Sequence, residues 1–193
     1  MLEHLKKYHI LLASKSPRRR ELLAELRIPF SPILLGGIDE SYPDSIPAED
    51  VPQYLADRKA DAYLSVIKDN DLVITADTLV IKDGKIYGKP NNEEDAFRML
   101  AELSDSVHKV VTGVCLLTKK KRTSFTNITE VKFGEITDKE ARYYIDNYHP
   151  FDKAGSYGIQ EWLGFVAVEW INGSYFNVMG LPIHQLYQEL KVF

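Results

Sequence analysis

Apolar residues along the chain fall into short blocks whose spacing alternates between strand-like and helix-like. His9 to Ala13 is a compact apolar run, and Ser14-Lys15-Ser16-Pro17 breaks it before Leu22, Leu23 and Leu26 recur at helical spacing. The pattern predicts a strand, a loop and a helix over 18–27, with Ser16 as N-cap and Pro17 at the first helical position, where its missing N–H costs nothing. A second strand is expected over 30–35, then a Gly/Asp/Pro-rich loop over 36–47 and a helix over 48–67. Residues 71–76 read as a third strand. The run over 79–87 is apolar on both sides of Asp83-Gly84, a tight hairpin signal.

Farther along, a helix is expected over 93–103, capped by Asn91 or Asn92. Strands over 110–117 and 122–133 flank Lys119-Lys120-Lys121, a basic turn best read as solvated. Thr137-Asp138-Lys139-Glu140 is a capping box that opens a helix to about Tyr148, whose Tyr143, Tyr144 and Tyr148 read as packing residues. Residues 164–171 and 174–178 flank Asn172-Gly173 and predict another hairpin. Pro182 opens a last helix with Ile183, Leu186, Tyr187 and Leu190 on one face. The sum is a mixed α/β domain with hairpins rather than a regular βαβ repeat. With no linker, repeat or low-complexity tract, residues 1–193 are expected to form a single domain.

Composition narrows the function class. Among 193 residues, 24 Lys and Arg face 28 Asp and Glu for a net charge of −4, which argues against a nucleic-acid coat or an anionic-membrane binder. No apolar run reaches the ~18–20 residues that span a bilayer, and residues 1–13 lack the apolar centre of a targeting signal, so a cytoplasmic location is expected. The lone Cys115 cannot form an internal disulfide and, in an apolar strand, reads as a buried structural thiol.

Three stretches carry candidate chemistry. In Ser14-Lys15-Ser16-Pro17-Arg18-Arg19-Arg20, hydroxyls and four cations meet a helix start, where free N–H groups add partial positive charge and an anion such as phosphate is favoured. In Ile74-Thr75-Ala76-Asp77-Thr78 a carboxylate follows an apolar strand, at the edge where open α/β sheets place ligands. Such an Asp can hold a divalent metal or act as a general base. Asp39-Glu40 offers a second pair of carboxylates. The polar, two-glycine stretch from Asp152 to Gln160 has the make-up of a positioned binding loop. Lys59 and Lys89, taken alone, read as surface lysines. The chain has no P-loop, dinucleotide fingerprint or nucleophile elbow, and its five histidines show no zinc-ligand pairing.

Taken together, these residues resemble the Maf-like nucleoside triphosphate pyrophosphatases. The matching pieces run in family order: Leu12-Ala13-Ser14-Lys15-Ser16-Pro17-Arg18-Arg19, Gly37-Ile38-Asp39-Glu40, Arg58-Lys59-Ala60, Ala76-Asp77-Thr78, Gly88-Lys89-Pro90, Thr112-Gly113-Val114, Thr129-Glu130-Val131, Asp152-Lys153-Ala154-Gly155, Tyr157-Gly158-Ile159-Gln160, and Gly173-Ser174-Tyr175 through to Gly180-Leu181-Pro182. The resemblance implies a long, twisted mixed sheet flanked by helices, with two lobes and a central cleft in the manner of the inosine triphosphatases, in an enzyme that is often a homodimer. It implies hydrolysis between the α and β phosphates with Mg²⁺ or Mn²⁺. Asp77 would be the catalytic base, Asp77 and Glu40 the metal carboxylates, and Arg18, Arg19, Lys59 and Lys89 the triphosphate contacts. Ser14 joins the substrate residues, and Arg18, Thr78 and Gln160 resemble the specificity positions.

The Gly-Ile-Gln form of the late loop and the Asp-Thr pair look like the branch acting on dTTP and UTP. The alternatives are the sister branch acting on 7-methyl-GTP, a purine-selective house-cleaning enzyme of related fold, and a regulator of septum formation. One departure stands out: the branch usually has Gly after the Gln, and here Glu161 follows Gln160.

Overall fold

The computed structural model describes residues 2–193; Met1, at the head of the stretch expected to carry no targeting signal, lies outside them. In chain order the elements are β1 (His9–Ala13), α1 (Pro17–Glu25), β2 (Ser31–Pro32), α2 (Val51–Tyr63), β3 (Asp71–Lys82), β4 (Lys85–Tyr87), α3 (Glu93–Leu103), β5 (Val107–Leu117), β6 (Arg122–Phe133), α4 (Asp138–Tyr148), α5 (Trp162–Ala167), β7 (Val168–Asn172), α6 (Tyr175–Met179) and α7 (Ile183–Val192). Among the described residues the strands make one mixed sheet in the order β2-β1-β3-β5-β6-β7, with β4 paired to β3. β1 is parallel to β2 and β3, while β3–β4 and β6–β7 are antiparallel. No helix among the described residues is long and apolar enough to cross a membrane.

The chain divides into two compact units, each assembled from separated stretches. Of the described residues, the first comprises 2–77, 112–127 and 180–193, and the second comprises 78–111 and 128–179. In the first, Leu11, Ala13, Ala60, Tyr63, Ile67, Val73, Cys115 and Leu117 pack together, so Cys115 is the buried thiol its apolar strand predicts. Gly113 lets α2 press against β5, because a Cβ there would stand 2.4 Å from the Gln53 Cα. The Thr75 hydroxyl ties β3 to the same helix by donating to the Ala56 carbonyl at 2.7 Å. In the second unit, α3 and α4 share a core with β5, β6 and the 157–163 segment. Tyr144 is fully buried and stacks on Tyr148, and Tyr143 meets the edge of Trp162.

The capping signals are observed as expected. Ser16 accepts the Arg19 N–H, Asn92 accepts the Asp95 N–H, and Thr137 with Glu140 completes a capping box. Four expectations are corrected. The second strand shrinks from 30–35 to Ser31–Pro32, where Pro32 has no N–H to extend the ladder and Leu34 is exposed. The helix expected over 48–67 begins as a 3-10 turn and is α-helical only over Val51–Tyr63. The third strand does not stop at Ala76 but runs to Lys82, which moves Asp77 and Thr78 from a strand end to a strand interior. The Asn172-Gly173 hairpin is absent: residues 162–167 are helical, β7 pairs with β6, and residues 175–179 form a helix rather than a returning strand. Side-chain hydrogen bonds, mostly to distant strands, decide that last point. The Ser174 hydroxyl accepts the Asn177 N–H, and the buried Asn177 amide donates to the Val110 carbonyl and the Thr129 hydroxyl at 3.0 Å each, bonds that hold the turn as a helix.

Candidate active site

In the first unit the predicted residues converge on one ammonium. Lys59 lies on the face of α2 next to the buried Ala56 and Ala60, and its Nζ donates to Asp77 Oδ1 at 2.5 Å. The same Nζ is 3.3 Å from Glu40 Oε1. Lys59 and Asp77 are mostly shielded, whereas Glu40 is open to solvent. The neighbouring pair repeats the contact: Arg58 donates to Asp39 Oδ2 at 3.2 Å, so successive cations of α2 hold the adjacent carboxylates Asp39 and Glu40 of the 36–47 loop. Asp39 also accepts from the backbone and hydroxyl of Ser41. These bonds, then Arg58, hold its carboxyl below the usual range. Asp39 is therefore a loop clasp, and Glu40 is the carboxylate that reaches the cluster.

The basic helix start contributes differently from the simple cationic patch its sequence suggests. Arg19 donates from Nε to the Gly180 carbonyl at 2.7 Å and from Nη1 to the Ala76 carbonyl at 2.9 Å. The β1 pairing of β3 ends at Thr75, and Arg19 takes up the next carbonyl of that strand. Burial lowers the Arg19 pKa; Asp77 and Glu40 counter that shift, and Arg18 reinforces it. Arg18, Arg19, Glu40, Lys59 and Asp77 thus belong to one electrostatic cluster. Ser14 is buried, and its hydroxyl accepts the Ser16 N–H at 3.2 Å, shaping the turn into α1.

Thr78, Lys89 and Gln160 belong to the second unit. Thr78 follows Asp77 in β3. Lys89 is exposed in the turn after β4, and that turn is bound to the late loop because the Gly155 N–H donates to the Gly88 carbonyl at 3.0 Å. Gly155 has φ +67°, and a Cβ there would meet the Val80 side chain at 2.8 Å, so this crossing needs a glycine. The Gln160 Oε1 is buried and has no hydrogen-bond partner among the described residues. Residue types alone did not reveal the Gly180 and Ala76 carbonyls that anchor Arg19, because backbone acceptors carry no sequence signal.

Among the described residues no group of three or more His, Cys, Asp or Glu is placed to hold a metal ion. Asp77 and Glu40, brought to the same ammonium, offer hard oxygen donors of the kind Mg²⁺ uses when one or two carboxylates and substrate phosphates share its coordination. The donor set therefore fits a cation completed by phosphate oxygens. Cations, two carboxylates and a helix N-terminus gathered on an α/β sheet define a protein suited to handling polyphosphate esters.

The chain belongs to the family of Maf-like proteins, whose model matches residues 9–193. It is 56% identical over 191 residues to a dTTP/UTP pyrophosphatase of Phocaeicola vulgatus, covering 99% of each chain. It is 55% identical to one of Parabacteroides distasonis over the full length of both. A relative of the same description from Flavobacterium johnsoniae is 45% identical over 97% of this chain and 96% of its own. A solved nucleoside-triphosphatase / dITP/XTP pyrophosphatase from Mycobacterium abscessus aligns over 66% of this chain and 75% of its own with a TM-score of 0.41 and 14% identity, too loose a likeness to bear on function.

Proposed function

We propose that this chain is a nucleoside triphosphate pyrophosphatase that hydrolyses dTTP and UTP to the monophosphate and pyrophosphate. The observation that carries the chemistry is the Lys59 ammonium between Asp77 and Glu40, at 2.5 and 3.3 Å, in a chain whose relatives of 45–56% identity are described as dTTP/UTP pyrophosphatases.

In this reading Asp77 accepts the proton of the water that attacks the α-phosphorus. A carboxylate has about four acceptor sites on two oxygens, so the Lys59 bond at Oδ1 fixes its orientation and leaves acceptor capacity for the water. Lys59, Arg18 and Lys89 pair with phosphate oxygens. Arg19, anchored on two backbone carbonyls, carries a fixed positive charge, and Ser14 shapes the phosphate-facing turn. Asp77 and Glu40 would hold Mg²⁺ or Mn²⁺, which when bound supplies charge neutralisation on the leaving pyrophosphate. Positions fixed before the substrate arrives need no reorganisation as charge develops. The Gln160 amide can both donate and accept, as a uracil or thymine edge requires, and Thr78, next to Asp77 in the sequence, offers a hydroxyl.

The same reading has the enzyme acting in the cytoplasm as a homodimer, on free nucleotides rather than nucleic acid or a membrane surface. Product analysis with purified protein tests it. UTP and Mg²⁺ should yield UMP and pyrophosphate, and chelation by EDTA should stop the reaction reversibly. UDP with orthophosphate would refute the reaction, and faster turnover of 7-methyl-GTP than of UTP would move the protein to the sister specificity.

A further inference from the structure

The departure at Glu161 sits in a polar knot that the reaction above does not use. Glu161 Oε2 accepts a hydrogen bond from the buried Tyr144 hydroxyl, and Oε1 stands 3.0 Å from Lys153 Nζ. The Tyr144 oxygen in turn accepts the Gly158 N–H at 3.0 Å. Lys153, whose side chain is only 8% exposed, also donates to Asp152 Oδ1 at 2.9 Å. One carboxylate therefore touches the segment 153–160 at two points, at Lys153 directly and at Gly158 through Tyr144. The fit is close, since a Cβ on Gly158 would stand 3.0 Å from both the Glu161 carboxyl carbon and the Lys153 Cε.

The segment needs such an anchor. Gly155 and Ser156 both have positive φ, at 67° and 63°, and a non-glycine residue in that region persists only where its surroundings over-determine it. A buried ammonium likewise persists only with a paired carboxylate. Glu161 meets the first need and shares the second with Asp152, one residue after Gln160, whose buried Oε1 has no partner among the described residues. Left so, that oxygen bears a desolvation cost that a donor on a ligand removes.

We propose that Glu161 is a positioning residue: acting through Tyr144 and Lys153, it locks segment 153–160 and so orients the Gln160 amide toward the nucleotide base. The role attributed to Gln160 rests on the pyrimidine reading above; the locking of the segment does not. Where a glycine here would leave the segment to its own backbone preferences, this chain clamps it with a side chain.

The test uses the full-length protein with Glu161→Gly, Glu161→Gln and Tyr144→Phe. Tyr144→Phe keeps the Lys153–Glu161 pair, so it reads the effect without stranding a buried charge. Without nucleotide, hydrogen exchange at the Gly158 amide should accelerate in Glu161→Gly and in Tyr144→Phe. With nucleotide, Glu161→Gly should lose about tenfold in kcat/KM for UTP, mostly through KM, and its lead over ATP should narrow. Glu161→Gln, which can still accept from Tyr144, should lose less. Unchanged Gly158 exchange in both variants, or an unchanged KM and UTP preference in Glu161→Gly, overturns the proposal. A wild-type enzyme without UTP preference fails the pyrimidine reading instead, and the nucleotide-free exchange still decides whether Glu161 holds the segment.

Discussion

The two compact units assemble their candidate residues by different physical means. In the first, Lys59 and Asp77 sit on a long helix and a long strand, and opposite charges lie within hydrogen-bond reach of one another. In the second, Gln160 ends a segment that contains two left-handed residues and is bonded to a buried tyrosine and, through a buried lysine, to one carboxylate. Rigid elements suit groups that must meet the same charged phosphates in every substrate. A tensioned loop suits recognition, since small changes in its anchor re-aim an amide without moving the charges. On the proposed reading, the Asp77–Lys59 pair of the first unit would serve turnover and the Gln160 amide of the second would serve base preference.

The sharpest way to break that division is Asp77→Asn. An isosteric amide should leave the thermal melting temperature within a few degrees while turnover falls ~10²–10⁴-fold for loss of the base alone, and further if a metal carboxylate is lost with it. A folded variant retaining more than about a tenth of the wild-type rate removes Asp77 from the role. Next in size, Lys59→Met removes the ammonium shared by Asp77 and Glu40. Charge-assisted bonds of about 1.5–3 kcal/mol correspond to losses of about 10- to 100-fold in kcat/KM, and these should appear equally with UTP and ATP. A loss confined to one base would contradict the division. Gln160→Ala should do the reverse, lowering kcat/KM for UTP and narrowing its lead over purines while sparing the slower substrates.

The smallest expected effect concerns stability in the second unit alone. His108 is buried, hydrogen-bonded through Nε2 to the Tyr157 hydroxyl at 2.7 Å and edge-on to Phe133. Burial, and then Lys82, pulls its pKa down to about 3 from 6.5. The unfolded chain therefore binds a proton below about pH 6.5 that the folded chain refuses until about pH 3, so stability falls as pH drops through that window. The slope for one proton is at most about 1.4 kcal/mol per pH unit. Melting curves from pH 7 to pH 4.5 should fall more steeply for the wild type than for His108→Leu, and parallel curves would show that His108 accepts its proton in the folded state.

Much of this protein is determined locally. The caps at Ser16, Asn92 and Thr137 are legible because each bond closes within three residues, and the apolar runs place β1, β5 and β6 because burial on a sheet leaves a direct trace in residue type. The charged residue types of the site were equally readable, as carboxylates and cations beside apolar strands. Tertiary structure alone decided what links distant positions. Residues 175–179 are helical because Asn177 finds acceptors on β5 and β6. Glu161 joins Lys153 and Tyr144 because α4 and the late segment share a core. These outcomes depend on partners 8 to 67 residues away in the chain, and a hydrogen bond to a distant backbone carbonyl or phenol leaves no periodicity for a sequence to display.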